Sequence, residues 1–242
     1  MKKIIPIILL SLTIGLLYSY QKPSSPKVSH ITISYADTYP FVEETTEIPE
    51  TEHGLINLNS LDTTLYISLK YASTDNFAGI QFYPKIAKAY LREKTAKKLI
   101  AANEELYTLG YRIKVLDAYR PRRYQYDLRE AAKQINPATQ GYIANPATGS
   151  HHNRGASVDI TLTDLEGHEL DMPTTYDFFG PEASIYYNGC TKEQKANREL
   201  LGTIMEKHGF RRISSEWWHF DDKDYLDYEL LDIDFEELEL QQ

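Results

Sequence analysis

Residues 150–162 read SHHNRGASVDITL, and this stretch decides the fold. From Gly155 to Leu162 apolar and polar side chains alternate. Val158, Ile160 and Leu162 fall on one face and Asp159 on the other, the period-two pattern of a strand that rests one face on a core. A carboxylate opposite such a face must meet water, a partner or a metal. A histidine in the turn before the strand, His151 or His152, can face the same cleft.

Upstream, Ala96, Leu99, Ile100, Leu106 and Tyr107 recur at helical spacing, and Gly110 closes the helix. YRIKVLDAY (111–119) then reads as a strand, and Pro121 opens a helix over 121–135. A loop with two Asn-Pro pairs spans 136–149. Downstream, Thr191 and Gln194 form a capping box for a helix through Lys207 that Gly209 ends. A strand pair, 210–213 and 217–220, follows. Helices and strands are interspersed without a βαβ repeat or a Gly-rich phosphate loop, which predicts an α+β fold with a mainly antiparallel central sheet flanked by helices.

The 242 residues suffice for one substantial domain. The start, MKKIIPIILLSLTIGLLYSY, has Lys2 and Lys3 before an apolar run over 4–17, too short to span a membrane and suited to a signal peptide over 1–20. An uncleaved anchor is the alternative. Residues 21–52 are rich in Pro, Ser, Thr and Glu and read as a flexible spacer with at most a short strand at 28–35. The folded domain is expected over 53–242, and the protein is expected outside the cytoplasm, in the periplasm or cell envelope. The net charge of -9 is local: residues 221–242 hold ten acidic residues and one lysine, and the rest is balanced. No basic stripe speaks for nucleic acid, and the acidic end repels phosphate and anionic lipid. A solvated or packed acidic terminus is the plain reading of that end. A lone cysteine, Cys190, excludes a disulfide framework and a multi-cysteine zinc finger, so a metal site must use His, Asp and Glu.

Two more segments carry chemistry. In Glu216-Trp217-Trp218-His219-Phe220 a histidine follows a glutamate by three positions, as a ligand and a base could. Residues three apart on a strand point to opposite faces, so Glu216 is expected in a bend before the strand. In Asp117-Ala118-Tyr119-Arg120-Pro121 the proline biases Arg120 toward an extended conformation at a strand end, where a guanidinium could stabilise an oxyanion.

Together with Lys70-Tyr71-Ala72-Ser73-Thr74-Asp75-Asn76-Phe77 and Tyr176-Asp177-Phe178-Phe179, these segments closely resemble the D-alanyl-D-alanine dipeptidases, from about Leu55 to Phe235. The resemblance implies the fold of zinc DD-peptidases and the hedgehog signalling domain, one Zn2+ per chain and hydrolysis of a small dipeptide. It implies His152, Asp159 and His219 as ligands, which selects His152 over His151. Glu216 becomes the general base and Arg120 the residue at the scissile carbonyl. Ser150 touches substrate, and Tyr71 and Asp177 hold its free amino end. It also implies a last strand at 231–235. The same ligands would serve a DD- or LD-carboxypeptidase or a peptidoglycan endopeptidase; Tyr71 and Asp177 favour the dipeptidase. A zinc-binding or cell-wall-binding module that keeps the fold without turnover would not need Glu216.

Overall fold

The computed structural model describes residue 51 and residues 53–241. The expected signal peptide, nearly all of the spacer and its short strand lie outside the described residues. Strands β1 (Leu55–Asn57), β2 (Tyr66–Ile67), β3 (Tyr90–Arg92), β4 (Tyr111–Asp117), β5 (Ser157–Asp164), β6 (Phe210–Arg212) and β7 (His219–Asp222) form two sheets. β1 pairs with β3; the other five run in the order β2-β4-β5-β7-β6. Helices α1 (Leu58–Leu61), α2 (Glu93–Thr108), α3 (Arg122–Ile135), α4 (Lys192–Lys207) and α5 (Phe235–Leu240) complete the fold. The expected α+β architecture is present, with one amendment. Three of the four pairings in the large sheet are antiparallel, but the edge strand β2 runs parallel to β4.

Both faces of β5 are buried, so its alternation separates two interiors. Val158, Ile160 and Leu162 pack with Ala96, Leu99, Ala102 and Leu106 of α2 and with Leu201, Ile204 and Met205 of α4. A second cluster of Tyr71, Tyr83, Tyr90, Tyr119, Leu128, Ile233, Phe235 and Leu238 uses several of the many tyrosines as core. α4 begins with the expected capping box at Thr191 and Gln194, and α2 ends before Gly110, whose φ of 89° suits glycine.

Two elements differ from their reading. β7 starts at His219, not Trp217, and runs on to Asp222. Residues 231–235 are not a strand: α5 begins at Phe235. The Asp234 side chain accepts from the Phe235 N–H at 2.7 Å, and Glu236 and Glu237 occupy the positive end of the helix. The apolar positions of 231–235 still face inward, with Leu231 and Ile233 buried. The acidic end is packed: Lys98 pairs with Asp222 and Asp224, Arg123 with Asp232 and Asp234, and Lys88 with Glu239.

Candidate active site

Asp117, Asp159 and His219 stand in register across the adjacent strands β4, β5 and β7. Directly opposed residues lie about 4.5–5.5 Å apart, so this row gathers charge at one point of the sheet. The turn before β5 adds His152. Ser150 caps that turn, its hydroxyl accepting from the His152 N–H, while the Asn153 side chain accepts from the Ser150 N–H. Asn153 also donates to the Arg120 carbonyl at 2.8 Å, and the Arg120 N–H donates to the His152 carbonyl at 3.1 Å. The Asp117–Pro121 and Ser150–Arg154 segments are thereby held as one unit. Gly155 ends the turn at φ 67°, where an added Cβ would lie 2.5 Å from Leu55 Cδ2.

His152 Nε2, His219 Nδ1 and Asp159 Oδ1 converge. The separations are 3.2 Å between the histidines, 3.3 Å from His152 to Asp159 and 2.9 Å from His219 to Asp159. All three residues are buried. The outer nitrogens are committed: His152 Nδ1 lies 2.8 Å from the Ala118 carbonyl, and His219 Nε2 lies 2.8 Å from Asp221 Oδ1. An imidazole that gives its outer N–H to an acceptor can turn its other nitrogen bare toward a cation, and His152 Nε2 and His219 Nδ1 are both placed to do so beside one aspartate oxygen. This donor set suits a divalent cation, and two histidines with one carboxylate leave room for a water. His151, His219 and Asp221 form another candidate group. Both groups require His219, and a neutral imidazole has one bare nitrogen. Asp221 already accepts from Ser157, His151 and Arg211 at 2.6, 2.8 and 3.0 Å, so it takes the proton side of His219.

Burial opposes ionisation of Asp159 and of Asp221, yet their histidine partners outweigh it and hold both well below the usual carboxylate range. Tyr176 donates to the second oxygen of Asp159 at 2.9 Å. Glu216 sits in the bend before β7, as its spacing required. Desolvation of its carboxyl pushes its pKa up to about 7, although His219 pulls the other way.

Arg120 is buried over the Tyr71 ring, 5.1 Å from its centroid. Its Nη2 and Nε both reach Asp117 Oδ2, at 2.6 and 3.0 Å, and Nη1 reaches Gln125 at 2.7 Å. The guanidinium is thus fixed 4.0 Å from Asp159. Tyr71 donates to Asp177 Oδ1 at 3.1 Å, while Asp177 Oδ2 is buried without a hydrogen-bond partner. Burial and then the nearby Asp159 raise the Asp177 pKa well above its ordinary value. Its backbone lies at φ 57°, a region non-glycine residues rarely enter.

A pocket of about 280 Å³ is lined by all eight expected residues: Ser150, His152, Asp159, His219, Glu216, Arg120, Tyr71 and Asp177. His152, Asp159 and His219 form the converging donor set, and Tyr71 and Asp177 stand together along the wall. Asp221, Tyr176, Asp117 and Gln125, which hold these groups, carried no expected role. For Asp221 a signal existed, since residue i+2 on a strand shares the face of His219.

Two histidines, a carboxylate and a desolvated glutamate around one small pocket are the parts that a metal-dependent hydrolase centre requires. Residues 51–237 match the profile of a family described as D-ala-D-ala dipeptidase, and the chain belongs to that family. It is 34% identical over 177 residues to a D-alanyl-D-alanine dipeptidase of Escherichia coli K12, covering 73% of this chain and 89% of that one. It is 33% identical over 172 residues to one from Enterococcus faecium, covering 62% and 82%. Among solved structures, a vancomycin-resistance D,D-dipeptidase in complex with a D-Ala-D-Ala phosphinate analogue aligns with a TM-score of 0.39 and 20% identity, over 55% of this chain and 51% of that chain. An LD-carboxypeptidase aligns with a TM-score of 0.38 and 18% identity, over 55% and 59%.

Proposed function

We propose that the protein hydrolyses free D-alanyl-D-alanine to two D-alanines, with one Zn2+ held by His152, Asp159 and His219. The observation that carries this reading is the buried, unpaired Asp177 Oδ2 in the same pocket as the ligand cluster. Metal hydrolases share the cluster, but a pocket that measures a dipeptide needs an anion for the free ammonium. Family membership and the named relatives support the substrate. The α+β fold is in keeping with the zinc DD-peptidase and hedgehog fold that the sequence motifs imply.

When bound, Zn2+ polarises the scissile carbonyl and lowers the pKa of a water beside it. Glu216 takes the proton of the attacking water and returns it to the leaving amine. Arg120, immobilised by Asp117 and Gln125, faces the charge that develops on the carbonyl oxygen without having to reorganise. Tyr71 fixes one oxygen of Asp177 and leaves the other for the ammonium. Ser150, on the pocket wall, contacts the substrate. Phe178, Phe179 and Tyr142 wall the pocket and restrict water around the charge pair. An N-acylated or longer peptide would leave the Asp177 Oδ2 without an ammonium partner, which sets this reading above a carboxypeptidase or endopeptidase. We also infer export, from Lys2, Lys3 and the apolar run over 4–17.

The test is hydrolysis of D-Ala-D-Ala, L-Ala-L-Ala and a wall pentapeptide by purified protein, with and without chelator and zinc add-back. Cleavage of D-Ala-D-Ala alone, lost to chelator and restored by zinc, is expected. No metal-dependent cleavage of any of them would overturn the reading.

A further inference from the structure

We propose that Asp221 is the positioning residue that selects which nitrogen of His219 meets the metal, and that His151, on the pocket wall, holds Asp221 in place. This rests on the metal-centre reading above. His219 and Asp221 are two apart on β7 and share a face, and the carboxylate lies 2.8 Å from the outer nitrogen of the ligand. Three donors converge on Asp221 Oδ1: His219, Ser157 at 2.6 Å and His151 at 2.8 Å. Arg211 occupies Oδ2 at 3.0 Å. A carboxylate so tethered cannot swing, and its single free demand on His219 is a proton at Nε2. That leaves Nδ1 bare. His152 presents the opposite nitrogen because a backbone carbonyl, that of Ala118, holds its Nδ1. The two ligands are thus oriented by different devices, and only one of them is a side chain that substitution can remove.

His151 explains itself in this arrangement. It adjoins a ligand in sequence but turns its Nδ1 to Asp221. Its ring packs at a tilt against Tyr225, centroids 4.0 Å apart, and Arg211 covers the same tyrosine at 4.5 Å. Asp221 is fully buried beneath this group, while the His151 side chain keeps 34% of its exposure and lines the pocket. His151 is therefore the member that shields Asp221 from pocket water.

The experiment compares zinc affinity by chelator competition, and the visible spectrum of the Co2+-substituted protein, across the wild type, Asp221→Leu, Asp221→Asn, His151→Ala, His151→Gln and Asp222→Asn. Asp221→Leu is expected to weaken zinc about 10–100-fold, the usual scale for an outer-shell partner of a ligand, and to shift the Co2+ spectrum. Asp221→Asn, which keeps an acceptor oxygen, should lose less. His151→Ala should weaken zinc by a smaller factor, and His151→Gln, which keeps a donor, should recover it. Asp222 is buried in the same strand but bonded to Thr95 and Lys98, so Asp222→Asn lowers fold stability without changing zinc affinity in the folded protein. Wild-type affinity and spectrum in both Asp221 variants overturn the proposal, as does an equal loss in Asp222→Asn. Should Asp221→Leu fail to fold, the asparagine and His151 variants decide by the same criteria. A wild type that binds no zinc refutes the metal-centre reading itself, and this proposal with it, before any variant is compared.

Discussion

Glu216 is half-buried on the pocket wall, and the desolvation that pushes its pKa to about 7 makes it a stronger base than an exposed glutamate. A base works ionised, so kcat/KM should rise as pH rises through its pKa. The positive charge of a bound ion lowers that value, which places the acid limb between the ordinary 4.5 and about 7. Glu216→Gln should retain zinc, abolish this limb and lower kcat by roughly 10²–10⁴-fold; near-normal turnover would require another base. Asp177 makes the opposite demand. Its folded pKa is raised, so its ionisation destabilises the empty protein once pH exceeds the unfolded value near 3.8. Asp177→Asn should therefore raise Tm at neutral pH by a few degrees, about 1 kcal/mol, while raising KM for the dipeptide. A lower Tm and an unchanged KM would remove its assigned role. The convergence of His152, Asp159 and His219 in one pocket with Glu216 was legible because each lies in a short motif whose chemistry is local. Asp221 was not, because its segment reads as the start of an acidic tail and its partners lie on β5, β6 and the turn before β5. The hydroxyl of Tyr176 reaches Asp159 only once the chain has turned back after β5, where Thr163 and Glu169 bridge, and no spacing encodes that.

The turn before β5 is the element on which the centre depends. Gly155 has both a positive φ and a neighbour, Leu55, that a side chain would strike. Gly155→Ala should cost about 1–3 kcal/mol by strain and overpacking, and zinc affinity should fall with Tm because the turn carries His152. Calorimetry with a parallel zinc titration checks both, and an alanine variant with unchanged Tm would contradict the geometry. Helices α2 and α4 were readable from periodicity and caps that act within a few residues. Residues 231–235 misled because Leu231-Asp232-Ile233-Asp234-Phe235 alternates like a strand, and its apolar positions are indeed buried. A strand also needs a partner, however, and the Asp234 cap ends the extended run at Phe235 instead. The parallel pairing of β2 with β4 was equally hidden, since two residues show no periodicity.

At the scale of the molecule, the acidic end closes the domain: Phe235 packs against Tyr83 at 4.9 Å and Tyr124 at 6.0 Å, Asp234 pairs with Arg123, and Glu239 pairs with Lys88. Phe235→Ala should cost about 3–5 kcal/mol, measurable by urea unfolding, whereas a solvated tail would cost nothing. If the apolar run over 4–17 directs export, fractionation should find the protein outside the cytoplasm with its N-terminus between residues 19 and 25; a cytoplasmic product retaining Met1 would overturn that. Substrate length tests the whole arrangement, because the metal cluster serves any peptide and only the Asp177 end counts residues. An acylated amine would leave a buried carboxylate unpaired, a penalty of about 1–3 kcal/mol, and its added group would meet Phe178 and Phe179. The decisive measurement is the ratio of kcat/KM for D-Ala-D-Ala to that for N-acetyl-D-Ala-D-Ala with the zinc-loaded protein. The structure predicts a ratio well above about tenfold, reduced in Asp177→Asn; equal rates for the two substrates would contradict the dipeptidase reading and leave a carboxypeptidase in its place.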